Sequence, residues 1–382
     1  MLTSSGPITG DLANSGTALL AGRINGAVSN AGTITLTGLL RVSGVLDQAA
    51  SGVLDLGGRG AALGGLAGAG AVRIGSGILT LTGESATSFA GTLEGSASGF
   101  INKNGSGTLT LTGANSFAGL TSINSGGLVI AAGASLAGGI GNAASLTNAG
   151  TVSGLVQTFA GATTLNTGTF AGGVTNAGML TSRGTINGDL ANSGTAVLAG
   201  RINGAVSNAG TITLGGGLRV SGVLDQAASG VLDFAGRGAA LGGLAGAGAV
   251  RIGSGILTLT GESATSFAGT LEGSASGFIN KNGSGTLTLT GANSFAGLTS
   301  INSGALVIAA GASLAGGIGN ADSFTNAGTV SGLVQTFAGA TTLNTGTFAG
   351  GVTNAGTLTS TGSIAGLVTN SGTLTSSGPI TG

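Results

Sequence analysis

Cysteine, histidine, tryptophan and tyrosine are absent from this 382-residue chain, proline occurs twice, and only 6% of residues are charged. Without cysteine and histidine there are no disulfides, no thiol or imidazole nucleophiles, no histidine general base and none of the usual nitrogen or sulfur metal ligands. Eleven basic and eleven acidic residues cancel, so no charge-led partner such as nucleic acid is implied. Glycine, serine, threonine or asparagine interrupts every apolar run before it reaches the roughly 18 residues of a membrane-crossing helix. The opening MLTSSGPITG has neither the basic start nor the apolar run of a secretory signal, so no export signal is expected in this segment. A zero cysteine count is compatible with export as an unlinked chain.

What the chain has instead is glycine, 83 residues of it, about three times the usual share. That enrichment weakens the case for helices, and two prolines with no Gly-X-Y period exclude collagen. Disorder fits badly as well, because 41% of residues are hydrophobic and leucine, isoleucine and valine recur throughout.

Two periods are nested in the sequence. Sliding by 178 residues superposes 1–178 on 179–356 with eleven differences, at positions 5, 7, 9, 19, 37, 39, 56, 57, 127, 144 and 146 of the first copy. Recent duplication accounts for that identity. Residues 357–382 begin a further copy, and Thr373–Gly382 repeats the first ten residues apart from threonine in place of Met1. The chain is therefore expected to be cut from a longer array.

Within each copy a 16-residue unit is visible at Asn14 and Asn30, at Asn176, Asn192 and Asn208, and at Asn354 and Asn370. Aligned on asparagine, it stacks Leu2 with Ala18 and Ile34, Ile8 with Ile24, and Leu12 with Val28, while Thr3, Ser5, Pro7 and Thr9 take the alternate positions. Alternation of period two means one buried and one wetted face, and an even unit length preserves parity from one unit to the next. Other units have other lengths, and Leu19 breaks the pattern.

A unit this short cannot hold a strand, a crossover helix and a returning strand. It suits one coil of an all-β solenoid, an elongated rod in which each strand pairs with its equivalent one coil on, about 4.8 Å away. About 20 coils would give a rod on the order of 90 to 100 Å, with glycine at the corners. Asn14 and Asn30 share the inward parity, which leaves two readings open: an amide ladder at a bend, or turn conformations before glycine.

One segment goes further than pattern. Phe100 to Ile130 reads FINKNGSGTLTLTGANSFAGLTSINSGGLVI and recurs from Phe278 to Ile308 with one change, and GSGILTLTG at 75–83 is a weaker echo. The lysine before the glycines at Lys103, the GSGTLTLTGANSF core at Gly105 to Phe117 and the TSINSG run ending at Gly126 resemble the autotransporter-associated β-strand repeat of bacterial passenger domains. The resemblance implies a right-handed parallel β-helix at the extracellular or outer-membrane surface of a Gram-negative bacterium, where the repeat helps passenger secretion and folding. It also implies an export signal and a translocator barrel with aromatic girdles, both expected to lie outside this segment.

The candidate sites are few. Carboxylates are the remaining acid-base groups, and glycosidase chemistry needs two that face each other. Asp47 with Asp55, Asp225 with Asp233, and Glu84 with Glu94 are the pairs the spacing offers, but a turn through Gln48–Gly52 undoes the shared face of the first, and only phenylalanine is present as an aromatic platform. Solvated surface charge is the default for all of them. The calcium nonapeptide does not occur, and Gly139–Ala144 matches a dinucleotide fingerprint by letters alone, with no helix context. Threonine rows at Thr108, Thr110 and Thr112, repeated at Thr286, Thr288 and Thr290, could form a flat ice-binding array, but alternation with Leu109 and Leu111 already explains them as half-buried strand. Lys103 reads as a solvated loop cation, and Phe89, Phe100, Phe117, Phe159 and Phe170 as core fillers or coil-end plugs.

The sequence thus predicts no catalytic, metal or cofactor-binding residues and no cofactor. It predicts a structural passenger segment, a stalk or fibre giving reach and display. Alternatives are an adhesin for a host or neighbouring-cell surface or glycan, and, more remotely, a polysaccharide-active enzyme. Unpaired strand edges and sparse charge predict self-association, end to end or laterally.

Overall fold

The computed structural model describes residues 1–382. It contains no helix, only parallel strands of a β-solenoid stacked in about 21 turns. The chain divides into two compact units, Met1–Gly188 and Asp189–Gly382.

In the first unit the inward columns are those the alternation demands. Leu2 pairs with Ala18, Ala18 with Ile34, Ile34 with Leu54, Leu54 with Val72, and Val72 with Leu93. From Ala18 onward every member of that column is at most 1% exposed. A period-two strand can bury only alternate residues, and identical parity in each coil turns that alternation into a continuous apolar filling. Ile8 bridges Ile24 and Leu12 pairs with Val28, as the 16-residue unit requires.

The asparagines form a ladder and also hold the turn. Asn14 Nδ2 donates to Asn30 Oδ1 at 2.8 Å across 16 residues, and Asn30 Nδ2 to Gln48 Oε1 at 2.7 Å across 18. Asn14 Nδ2 also donates to the Gly16 carbonyl at 3.1 Å. A buried amide needs a partner for each of its hydrogen-bonding groups, and the equivalent amide one coil away supplies one while the corner backbone supplies another. The ladder stops where the column passes Gly68 to Phe89, Leu111 and Ile130, then resumes with Asn148 donating to Asn166 at 2.9 Å.

The glycine content has two separate causes. At Gly68 the backbone is left-handed, with φ of 92°, a conformation costly for residues with a Cβ. At Gly83 the obstacle is crowding, since a Cβ there would lie 1.6 Å from the Gly64 carbonyl oxygen of the coil beneath. The second unit repeats these features: Leu190 pairs with Val206, Ala196 with Ile212 and Ile212 with Leu232, and Asn192 donates to Asn208 at 2.8 Å.

Candidate functional site

The carboxylate pairs of the sequence do not face one another. Asp47 lies in strand Thr33–Gln48, in register with Ser29 and Ala67, whereas Asp55 in Val53–Asp55 is in register with Thr35 and Arg73. The corner at Ala49–Gly52 puts them in different columns, and Asp225 and Asp233 are separated in the same way, beside Ser207 and Thr213 respectively. Glu94 is taken up by Arg73 at 3.6 Å, and Glu272 by Arg251 at 3.4 Å. Glu84 is exposed in a bend. A cavity of about 510 Å³ does bring Asp225 together with Asp189, a pair the linear spacing does not suggest. Asp189 Oδ1 accepts the Ala205 N–H at 2.8 Å, as Asp11 accepts that of Ala27 at 2.7 Å, which gives it a corner-holding task in both copies.

The threonine row is not continued from coil to coil. Thr110 has Ser88 on one side and Val129 on the other, and Thr108 has Gly127, so no flat threonine array forms there.

Two readings of the sequence are corrected. Phe89, Phe117 and Phe170 are fully buried, but Phe100 and Phe159 are 42% and 47% exposed, because strand parity turns Phe100 outward beside buried Ile101. Lys103 is not a solvated loop cation: it is 4% exposed and occupies an inward column between Leu81 and Ile123. Its stem fills the core while its ammonium reaches the corner and donates to the carbonyls of Gly105 and, at 3.3 Å, Ser125. Burial holds its pKa below the usual 10.5. Lys281 is placed identically, and its pKa is lowered by burial but pulled back upward by Asp322.

Asn115 ties three coils together. Its Oδ1 accepts the Leu93 N–H at 3.0 Å, and its Nδ2 donates to the carbonyls of Gly113 at 2.9 Å and Ser135 at 3.0 Å. On the outside, Asn124 donates to Asn104 at 2.7 Å. The FINKNGSGTLTLTGAN segment is therefore one coil whose polar residues clip it to its neighbours at two corners. Four stretches match the family model described as Passenger-associated-transport-repeat: residues 72–94, 101–130, 250–272 and 279–308. These matches and the β-solenoid together support an autotransporter passenger with β-helix repeats. No curated protein and no solved structure matches it. Each passenger-repeat pair starts in an all-apolar inward column, at Val72 or Val250, and ends at Ile130 or Ile308, where the amide ladder resumes. The repeats thus coincide with the coils in which the asparagine ladder is replaced by phenylalanine, leucine and isoleucine.

A last feature of the repeats faces outward. Ile78, Phe100 and Leu120 pair in register on successive coils and are 40 to 44% exposed, as are their second-copy equivalents Ile256, Phe278 and Leu298 at 39 to 45%. Exposed apolar side chains in a row were not anticipated from the sequence. The signal for them was present in the repeat itself, since parity fixed by Ile101 and Lys103 necessarily sends Phe100 to solvent.

Proposed function

We propose that this chain is a structural segment of an autotransporter-like passenger, secreted or surface-exposed on a Gram-negative cell, whose work is reach and display rather than catalysis. The observation that carries the reading is the passenger repeat built as a polar-clipped coil within a stack of coils. Each coil adds about 4.8 Å along the stack and needs only its neighbours for stability, so copies can be added without redesigning a fold. The separated pairs Asp47/Asp55 and Asp225/Asp233, and the engagement of Glu94 by Arg73 and of Asp189 by the Ala205 N–H, support a non-catalytic role.

The test is a passenger carrying this chain between an export signal and a translocator barrel, with an epitope tag at the distal end. Deleting residues 179–356, one full period, is expected to bring the tag closer to the membrane by roughly 40 to 50 Å and to leave the remainder resistant to protease. An unchanged tag height, or loss of surface-folded protein, would count against the reading.

A second reading, adhesion or lateral self-association, is favoured by the outward row of Ile78, Phe100 and Leu120. A contiguous exposed apolar strip on a sparsely charged surface marks a contact site. Replacing Phe100 and Phe278 with serine is expected to reduce sedimentation-detected association, and an unchanged association constant would remove this reading.

A further inference from the structure

Eleven positions differ between the two copies. Two of them, Thr37 to Gly215 and Leu39 to Gly217, fall beside a pair of stacked arginines. In the second unit Arg201 and Arg219 are in register on neighbouring coils, both exposed. Like charges about 4.8 Å apart repel, and no carboxylate lies within ion-pair reach of either, the ion pairs being Arg73 with Glu94 and Arg251 with Glu272. Arg201 Nε donates to Asn203 Oδ1, which restrains that guanidinium at the surface. Such an uncompensated pair costs stability in the free protein and offers two donor forks to an anion.

A groove runs from these arginines across two further coils. It has a volume of about 610 Å³, a floor that includes Gly217 and Gly238, and a far wall of Ile256, Thr258 and Thr260. A Cβ at Gly217 would meet nothing within 4 Å, so the floor is open space above bare backbone. In the first copy the matching arginines, Arg23 and Arg41, are also in register. There the groove is different: Leu39 is 50% exposed and its Cδ1 lies 3.0 Å from where a Cβ on Gly60 would sit. Leu39 therefore covers the glycine floor, and the cavity at Arg23 and Arg41 is about 320 Å³ and does not extend to Ile78.

The geometry points to a binding site in the second copy for an acidic oligosaccharide, one whose carboxylate or sulfate groups sit on Arg201 and Arg219. A sugar ring has a C–H face for Ile256 and the glycine floor, and hydroxyls for Thr258 and Thr260. Single-stranded nucleic acid, the other common polyanion, needs aromatic platforms for its bases, and none lines the groove. The proposal goes beyond the scaffold role and is independent of it, because reach and protease resistance do not depend on this groove.

Calorimetric titration of the full chain tests it with four probes: a trigalacturonate, a sulfated heparin-type hexasaccharide, a neutral galactose trisaccharide and a hexaglutamate peptide. Binding of at least one acidic saccharide at one site per chain is expected, and which of the two binds assigns carboxylate or sulfate as the recognised group. The neutral sugar and the peptide are expected to bind at least about tenfold more weakly. Arg219→Gln is expected to weaken binding about tenfold or more. Gly217→Leu, which installs the residue the first copy already carries, should abolish it, and Leu39→Gly should raise the stoichiometry from one site toward two. Melting curves matching the parent establish that each variant is folded. Failure of both acidic saccharides to bind, equal binding of neutral sugar or peptide, or full binding by folded Gly217→Leu would each overturn the proposal.

Discussion

The two copies share a backbone plan and differ where side chains meet solvent, corners or one another. Three pairs of positions show what that divergence does. Leu39 closes a groove that Gly217 leaves open. Ala144 leaves Lys103 with carbonyls alone, whereas Asp322 stands near Lys281 and also accepts the Gly304 N–H at 2.7 Å. Gly57 adopts φ of 54° without penalty, while Ala235 takes φ of 48° with a Cβ. Duplication thus kept the interior columns apolar, enlarging two of their members (Leu56 to Phe234 and Leu146 to Phe324), while most other changes fell at corners and on the outer face. A solenoid permits this because each side chain answers only to its own coil and the two beside it.

The comparison is sharpest where the copies should behave alike. Gly83→Ala and Gly261→Ala each drive a Cβ to within 1.7 Å of a backbone carbonyl oxygen or closer, so each is expected to cost about 3 kcal/mol, read as equal shifts in urea midpoint. Unequal shifts would show that the copies are less equivalent than their columns imply.

The lysines should differ. Both have a native pKa below 10.5, so between that lowered value and 10.5 the unfolded chain holds a proton that the native chain has released. Stability is therefore expected to rise with pH through that window, the reverse of the loss expected for a lysine stabilised by an ion pair. The chain has no tyrosine or cysteine and only these two lysines, so denaturant titrations across the alkaline range isolate them. Because Asp322 draws Lys281 upward, Lys103 is expected to deprotonate at the lower pH, resolved as two side-chain NMR titrations. Ala144→Asp should erase the difference and stabilise the first unit by about 1 kcal/mol. Coincident titrations in the parent chain would break this part of the comparison.

The smallest effect belongs to the left-handed corner. Ala235→Gly is expected to stabilise by about 0.5 to 1 kcal/mol and Gly57→Ala to destabilise by a similar amount, both measured by chemical denaturation. Reversal of either sign would mean that neighbouring contacts, and not the backbone angle, govern that corner.

Much of the interior was readable from parity. Leu2, Ala18 and Ile34 stack because they share phase with a recurring asparagine, and the structure continues their column through Leu54 and Val72 as corners absorb the extra residues of longer units. Lys103 misled because charge ordinarily marks solvent, yet its phase is that of Leu81 and Ile123, and a long stem lets the ammonium reach corner carbonyls while the carbons stay inside. Phe100 misled in the opposite sense: an aromatic ordinarily marks core, but its neighbour Ile101 holds the inward position. At both residues the period was a better guide than the chemistry of the side chain.

By itself the sequence determined the parallel stacking, the repeat length and the columns, because period-two alternation in an even unit leaves one self-consistent way to bury leucine, isoleucine and valine. It also determined which chemistries are missing, since absent residue types cannot be folded into existence. Only the tertiary structure decided which residues of different coils meet. Arg201 beside Arg219, Asp189 sharing a cavity with Asp225, and Leu39 lying over Gly60 are neighbours across a coil. Those contacts depend on how each corner is turned, and corner geometry is set by packing against the coil beneath rather than by any local preference of the chain.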